Sequence, residues 1–188
     1  MKDFFSRYSY QSVHLFLNQV AIGLFGMVLA LASANMAESD ALKIVTGVFS
    51  VVFFLFLQFA AAWKVGSEDR VSVDLGKRKR DIWVPVKMLA LANSFNFLLA
   101  ICLALGLWFP NVGIFSTLGG IATAIKLIIE GMYMGLLSLN VGGVALNSLW
   151  FAHFVTPLPA LLVIFAAYLC GLNNINFGGL FSQNSARK

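Results

Sequence analysis

The sequence predicts an all-α protein, a polytopic transmembrane helical bundle, on three observations. Of the 188 residues 60% are hydrophobic and only 11% charged, against roughly 25% charged in soluble domains. The apolar residues fall in continuous runs near the roughly 20 residues needed to cross a bilayer. They show none of the alternation over about 10 residues that a transmembrane β-barrel requires. The charge is concentrated in one interior stretch, Lys64 to Lys87, which holds seven of the thirteen Lys and Arg residues and four of the eight acids. Cytoplasmic loops carry an excess of Lys and Arg, so Lys77, Arg78, Lys79 and Arg80 assign the loop 64–83 to the cytoplasmic side of a cell or inner membrane, together with the N-terminus.

Residues 1–12 mix Lys2 and Arg7 with Phe4, Phe5, Tyr8 and Tyr10, a composition suited to the headgroup region. The first span covers about 13–34, with Gly23, Gly26, Ala30 and Ala34 forming a small-residue stripe on which another helix can pack. A signal peptide is the competing reading, with Ala32-Ser33-Ala34 as its cleavage site, but the apolar run exceeds the usual 7–15 residues of an h-region. After the short acidic stretch 35–40 comes the second span, 41–63, in which Gln58 is the notable polar residue and Trp63 the interfacial anchor. Val71, Val73 and Leu75 alternate with polar residues, which predicts a short extended segment before Gly76 turns the chain. The third span, 84–109, carries Asn93, Ser94 and Asn96 and is closed by Pro110. An Asn within a bilayer needs a partner, so this face is expected to point into the bundle or a hydrated cavity rather than at lipid.

Residues 111–154 are ambiguous. The run 118–139 is long enough to cross, yet it contains Lys126, Glu130 and several glycines, and the piece 141–151 is too short. The last span, 155–172, begins at Pro157 and Pro159 and is followed by a basic end, Arg187 and Lys188. With both termini cytoplasmic the number of crossings is even. The expectation is therefore one integral membrane domain over 1–188: four full spans plus a broken or re-entrant membrane-embedded segment at 111–154. Five or six spans are the alternative.

Lys126 and Glu130 are the sharpest chemical feature, four apart on one helical face, so that their charged ends can meet. With Asn93 and Asn96 they form the candidate intramembrane polar site. Ionisable residues inside a membrane mark ion or substrate paths or partner contacts; the competing reading is an interfacial helix whose two charged side chains snorkel to the headgroups or neutralise each other. Lys77, Arg78, Lys79 and Arg80 are candidates for lipid-headgroup or partner contact, although topology setting needs the same residues. His14 and His153 read as structural, Cys102 and Cys170 as packing residues, and no metal motif or cofactor is expected. Ser116 or Ser138 with His153 lacks the frame of a hydrolase nucleophile, and the loop acids Glu68, Asp69, Asp74 and Asp81 have cations beside them.

The pattern Trp63-x-x-Gly66-x-x-Asp69, continuing to Asp74 and Gly76, resembles a loop of small uncharacterised bacterial polytopic membrane proteins, and no activity follows from that. Size and hydrophobicity are similar to those of the substrate-capture subunits of vitamin transporters, which usually have six spans and share no motif with this chain. The expected function is a non-catalytic transport-related subunit or small substrate-binding or permease-like module. The alternatives are a structural or assembly protein recruiting a cytoplasmic partner through its basic loop and, last, an enzyme acting on a lipid-linked substrate. Membrane lipids and a membrane or cytoplasmic protein are the expected partners, and nucleic acid is not.

Overall fold

The computed structural model describes residues 2–36 and 40–175. Residues 37–39 of the acidic stretch 35–40 and the basic end Arg187–Lys188 lie outside the described residues.

Among the described residues helices predominate, joined by turns and one small hairpin. Among the described residues three helices are long and apolar enough to cross a membrane, Phe4–Ala34, Ala41–Asp74 and Ala152–Leu172, and up to five if each of two bent pairs counts as one. The first two belong to helices α1 (Lys2–Met36) and α2 (Asp40–Asp74), of 35 residues each. At 1.5 Å per residue each is about 52 Å long, well beyond the roughly 30 Å of a hydrocarbon core. Two sequence expectations are corrected here. Residues 2–12 form the first turns of α1, which their headgroup-level reading allows, whereas 64–74 continue α2 rather than forming the start of a loop. The alternation at Val71–Leu75 does not produce an extended segment, because the helix ladder reaches Leu75, whose N–H donates to Val71. Gly76 then ends it at φ +68°, a left-handed conformation that suits glycine.

The expected third span is two helices, α3 (Val84–Ala92) and α4 (Ser94–Trp108), bent by 52° at Asn93. The polar pair at the break supplies side-chain partners for main-chain carbonyls, since Asn93 Nδ2 donates to Leu89 O (3.3 Å) and Ser94 Oγ to Leu91 O (2.8 Å). Such back-bonding bends helices. Helix α5 (Gly113–Ile129) ends at Glu130, where the chain turns by 77° through a 3₁₀ turn (Gly131–Tyr133) into α6 (Met134–Leu137). Strands β1 (Asn140–Val141) and β2 (Val144–Ala145) pair around Gly142 and Gly143, whose φ values of +62° and +84° fit a two-residue hairpin turn. Helix α7 (Ala152–Val155) leads into α8 (Pro157–Leu172). Pro157 has no N–H to give to the carbonyl of His153, and the Thr156 hydroxyl lies 3.3 Å from that oxygen instead.

Contacts order the ends of the bundle. Asp69, near the end of α2, accepts from Tyr8 (2.6 Å) at the start of α1, and its same oxygen lies 2.9 Å from the Tyr168 hydroxyl near the end of α8. Tyr168 is also 3.2 Å from the carbonyl of Asp81, just before α3. These four places therefore share one end, which we call the basic end. At the opposite, hairpin end Gly119 of α5 meets Gly106 of α4, and Gly135 of α6 meets Gly47 and the Lys43 carbonyl near the start of α2. Between them the turn at Glu130 is buried against α1, where Gly23 and Gly26 meet the backbone of Ile128–Met132. So α5 enters from the hairpin end, turns inside the bundle and returns to the same end.

Candidate functional site

Glu130 is the hub. It is 3% exposed, and Lys126 and Asn96 beside it are at 2% and 1%, so neither charged side chain reaches the surface of the bundle; the two neutralise each other instead. One helical turn of α5 brings Lys126 Nζ to 2.8 Å from Glu130 Oε1, and α4 offers Asn96 Oδ1 to the same ammonium at 2.7 Å. Asn96 Nδ2 completes a small ring by donating to Glu130 Oε1 (3.2 Å). The freed turn of α7–α8 adds Thr156 Oγ1, which donates to Oε1 (2.6 Å), and His153 Nδ1, which stands 2.8 Å from Oε2. Every carboxylate oxygen is thus held by hydrogen-bond donors, which is what a buried charge requires. The remaining ring nitrogen of His153 is 3.3 Å from the Asn147 carbonyl, an acceptor for a second ring proton.

The cluster opens on a cleft of about 300 Å³. Lys126, Glu130 and His153 line it with Ser138, Asn147 and Ser148, and leucines and Met134 form its apolar walls. The volume suits a small solute, and the polar groups offer both a cation and an anion for its recognition. Nothing in it is a primed nucleophile: Ser138 and Ser148 donate to the carbonyls of Gly135 (3.0 Å) and Ala145 (2.7 Å), not to His153. Ser116 is exposed on α5. Among the described residues no group of three or more His, Cys, Asp or Glu side chains could hold a metal ion.

Of the four residues named from sequence for this site, the structure brings Lys126, Glu130 and Asn96 together and leaves Asn93 apart. Asn93 lies at the α3–α4 break, facing a separate small cavity with Gln58 and Tyr133. Sequence reasoning missed His153 and Thr156. Their one signal was Pro157, whose missing N–H disturbs the turn that presents them.

The four cations named for lipid or partner contact divide as well. Arg78 is half-buried and donates to the Tyr8 hydroxyl (3.1 Å), and Arg80 donates to Asn173 Oδ1 (2.8 Å), whereas Lys77 and Lys79 are exposed. Asp69, read from sequence as one acid of a solvated loop, is 4% exposed and holds Arg7 (2.8 Å) as well as Tyr8 and Tyr168. Asp81, outside the apolar helices, takes hydrogen bonds from Lys87 Nζ (2.9 Å) and the Trp83 N–H (2.8 Å), and the Lys87 bond foremost holds its carboxyl below the ordinary value.

Compared with known proteins, the chain matches no protein family, no curated protein and no solved structure.

Proposed function

We propose that this chain is a non-catalytic, transport-related integral membrane protein, a small substrate-binding or permease-like module that takes a small polar solute in the cleft at Glu130. The observation that carries this reading is the buried set Lys126, Glu130 and His153, which sits at a helix break and opens on a cleft of about 300 Å³. Charges kept inside a membrane protein are costly and mark solute or ion paths, and broken helices are where such sites are built.

In the same proposal the bundle makes four crossings, by α1, α2, the bent pair α3–α4 and α7–α8. The pair α5–α6 is a re-entrant element between them. Placing the basic end in the cytoplasm follows from Lys77 to Arg80 and opens the cleft toward the other side. The shared end of Tyr8, Asp69 and Tyr168 supports an even number of crossings. An assembly role through the basic segment is the second reading, favoured by the exposure of Lys77 and Lys79.

Native mass spectrometry of the protein extracted from its own membrane in lipid discs tests the proposal. A small solute retained by the wild type and lost in Glu130→Gln and Lys126→Met is the expected result. Lipid alone in all three, with a cytoplasmic protein released on replacing Lys77 and Lys79, would instead establish the assembly reading.

A further inference from the structure

The interior holds three polar spaces in series. The first is the cleft at Glu130. Thr156, which donates to Glu130, also lines the second, a cavity of about 10 Å³ shared with Gln58, Asn93 and Tyr133. The third is a cleft of about 180 Å³ nearer the basic end, lined by Gln11, His14, Lys64 and Glu68. Leu15, 2% exposed, lines both the second and the third.

The middle cavity is built for one guest. Gln58 Nε2 donates to Leu15 O (3.1 Å) and Asn93 Nδ2 to Leu89 O (3.3 Å), which fixes both amides with their oxygens free. Gln58 Oε1, Asn93 Oδ1 and the Tyr133 hydroxyl are buried with no partner in the protein. The volume is about that of one water. A water there gives its two hydrogens to the amide oxygens and accepts the tyrosine hydrogen, the three bonds a buried water typically makes.

We propose that a water molecule fills this cavity and joins the Glu130 network to the basic-end cleft as a path for protons, with the Leu15 side chain as its barrier. When Glu130 is protonated its O–H donates to Thr156 Oγ, and the threonine hydrogen, otherwise donated to Glu130 Oε1, turns to the water. The proton passes to Oγ and the threonine hydrogen to the water. The water turns one hydrogen away from an amide oxygen and releases it to water of the basic-end cleft, so each oxygen gains and loses one. Lys126 and His153 face the carboxylate at the start of this route, while at its end the His14 imidazole and the Glu68 carboxylate offer lone pairs to take the proton, and Lys64 has donors only. Leu15 is the residue that lines both spaces, and an apolar side chain at that place is a constriction of the kind that gates by excluding water. The path shares Glu130 with the proposed solute site, but no solute is needed for it.

The test is proton flux into liposomes holding the purified full chain, driven by a potassium diffusion potential and read with an internal pH dye, with no solute added. Leu15→Ser should raise the flux severalfold over wild type, and adding Glu130→Gln to it should return the flux to the wild-type level. No rise in a Leu15→Ser protein that melts normally, or a rise that Glu130→Gln leaves intact, would overturn the path. Should Leu15→Ser not fold, a high-resolution map of the wild type decides: density for a water between Gln58, Asn93 and Tyr133 is expected, and a dry cavity refutes the proposal. Solute retention can fail while this flux succeeds, and the reverse, so the two readings stand or fall separately.

Discussion

At the residue scale the interior is organised by two buried carboxylates, Glu130 among Lys126, Asn96, His153 and Thr156, and Asp69 among Arg7, Tyr8 and Tyr168. Breaking a buried pair from one side leaves an uncompensated charge, which costs more than removing both partners. Lys126→Met is therefore expected to destabilise the fold by about 3 kcal/mol, with Lys126→Met/Glu130→Gln recovering part of the loss, as read by thermal unfolding in lipid discs. A double variant no more stable than the single would contradict the pairing. Asp69→Ala removes the shared acceptor of two tyrosines and is expected to cost about 2 kcal/mol. The Asp81–Lys87 pair is weaker because both groups meet water. Since Lys87 depresses the Asp81 carboxyl, the stability it gives is present above the unfolded value of 3.8 and disappears as pH falls through the lower folded value. The wild type should exceed Asp81→Asn in melting temperature at pH 7 by a small margin, and the two should converge in acid.

At the element scale the helices approach through glycine. A Cβ on Gly66 would overlap the Tyr168 carbonyl, and one on Gly171 the Trp63 carbonyl, so the α2–α8 seam leaves no room for a methyl group. Gly66→Ala should lower stability by about 1–3 kcal/mol in the same unfolding assay, whereas Gly120→Ala, with open space around its site, should be neutral or slightly stabilising through helix propensity. Much at this scale was legible in the sequence, because long apolar runs and their polar punctuation report helices directly. Lys126 and Glu130 were legible as a pair, since four residues on a helix put them side by side. Asn96 was legible as inward-facing, though not its partner. His153 and Thr156 were not, because Glu130 is 23 and 26 residues away and only the turns at Glu130 and Pro157 bring them together. Asp69 was hidden for the opposite reason: set in a charged run, it looked solvated, while its partners Tyr8 and Tyr168 lie 61 and 99 residues off.

At the scale of the whole molecule, the feature that sets this bundle apart is a chain that turns back inside it. Helix α5 descends beside α4 from the hairpin end, turns at Glu130 and climbs away along α2, which sets the polar cleft between that turn and the residues just before α8. The charge distribution and the function proposed for the cleft both rest on that reversal. Labelling with a membrane-impermeant thiol reagent tests it most directly, using single cysteines at Gly113, Gly143 and Lys79 in a chain whose Cys102 and Cys170 have been replaced. The account predicts that Gly113→Cys and Gly143→Cys react from the same, outer face of oriented vesicles, and Lys79→Cys only from the cytoplasmic face. Reaction of Gly113→Cys and Gly143→Cys from opposite faces would show that α5–α6 crosses the membrane, and would contradict the re-entrant site.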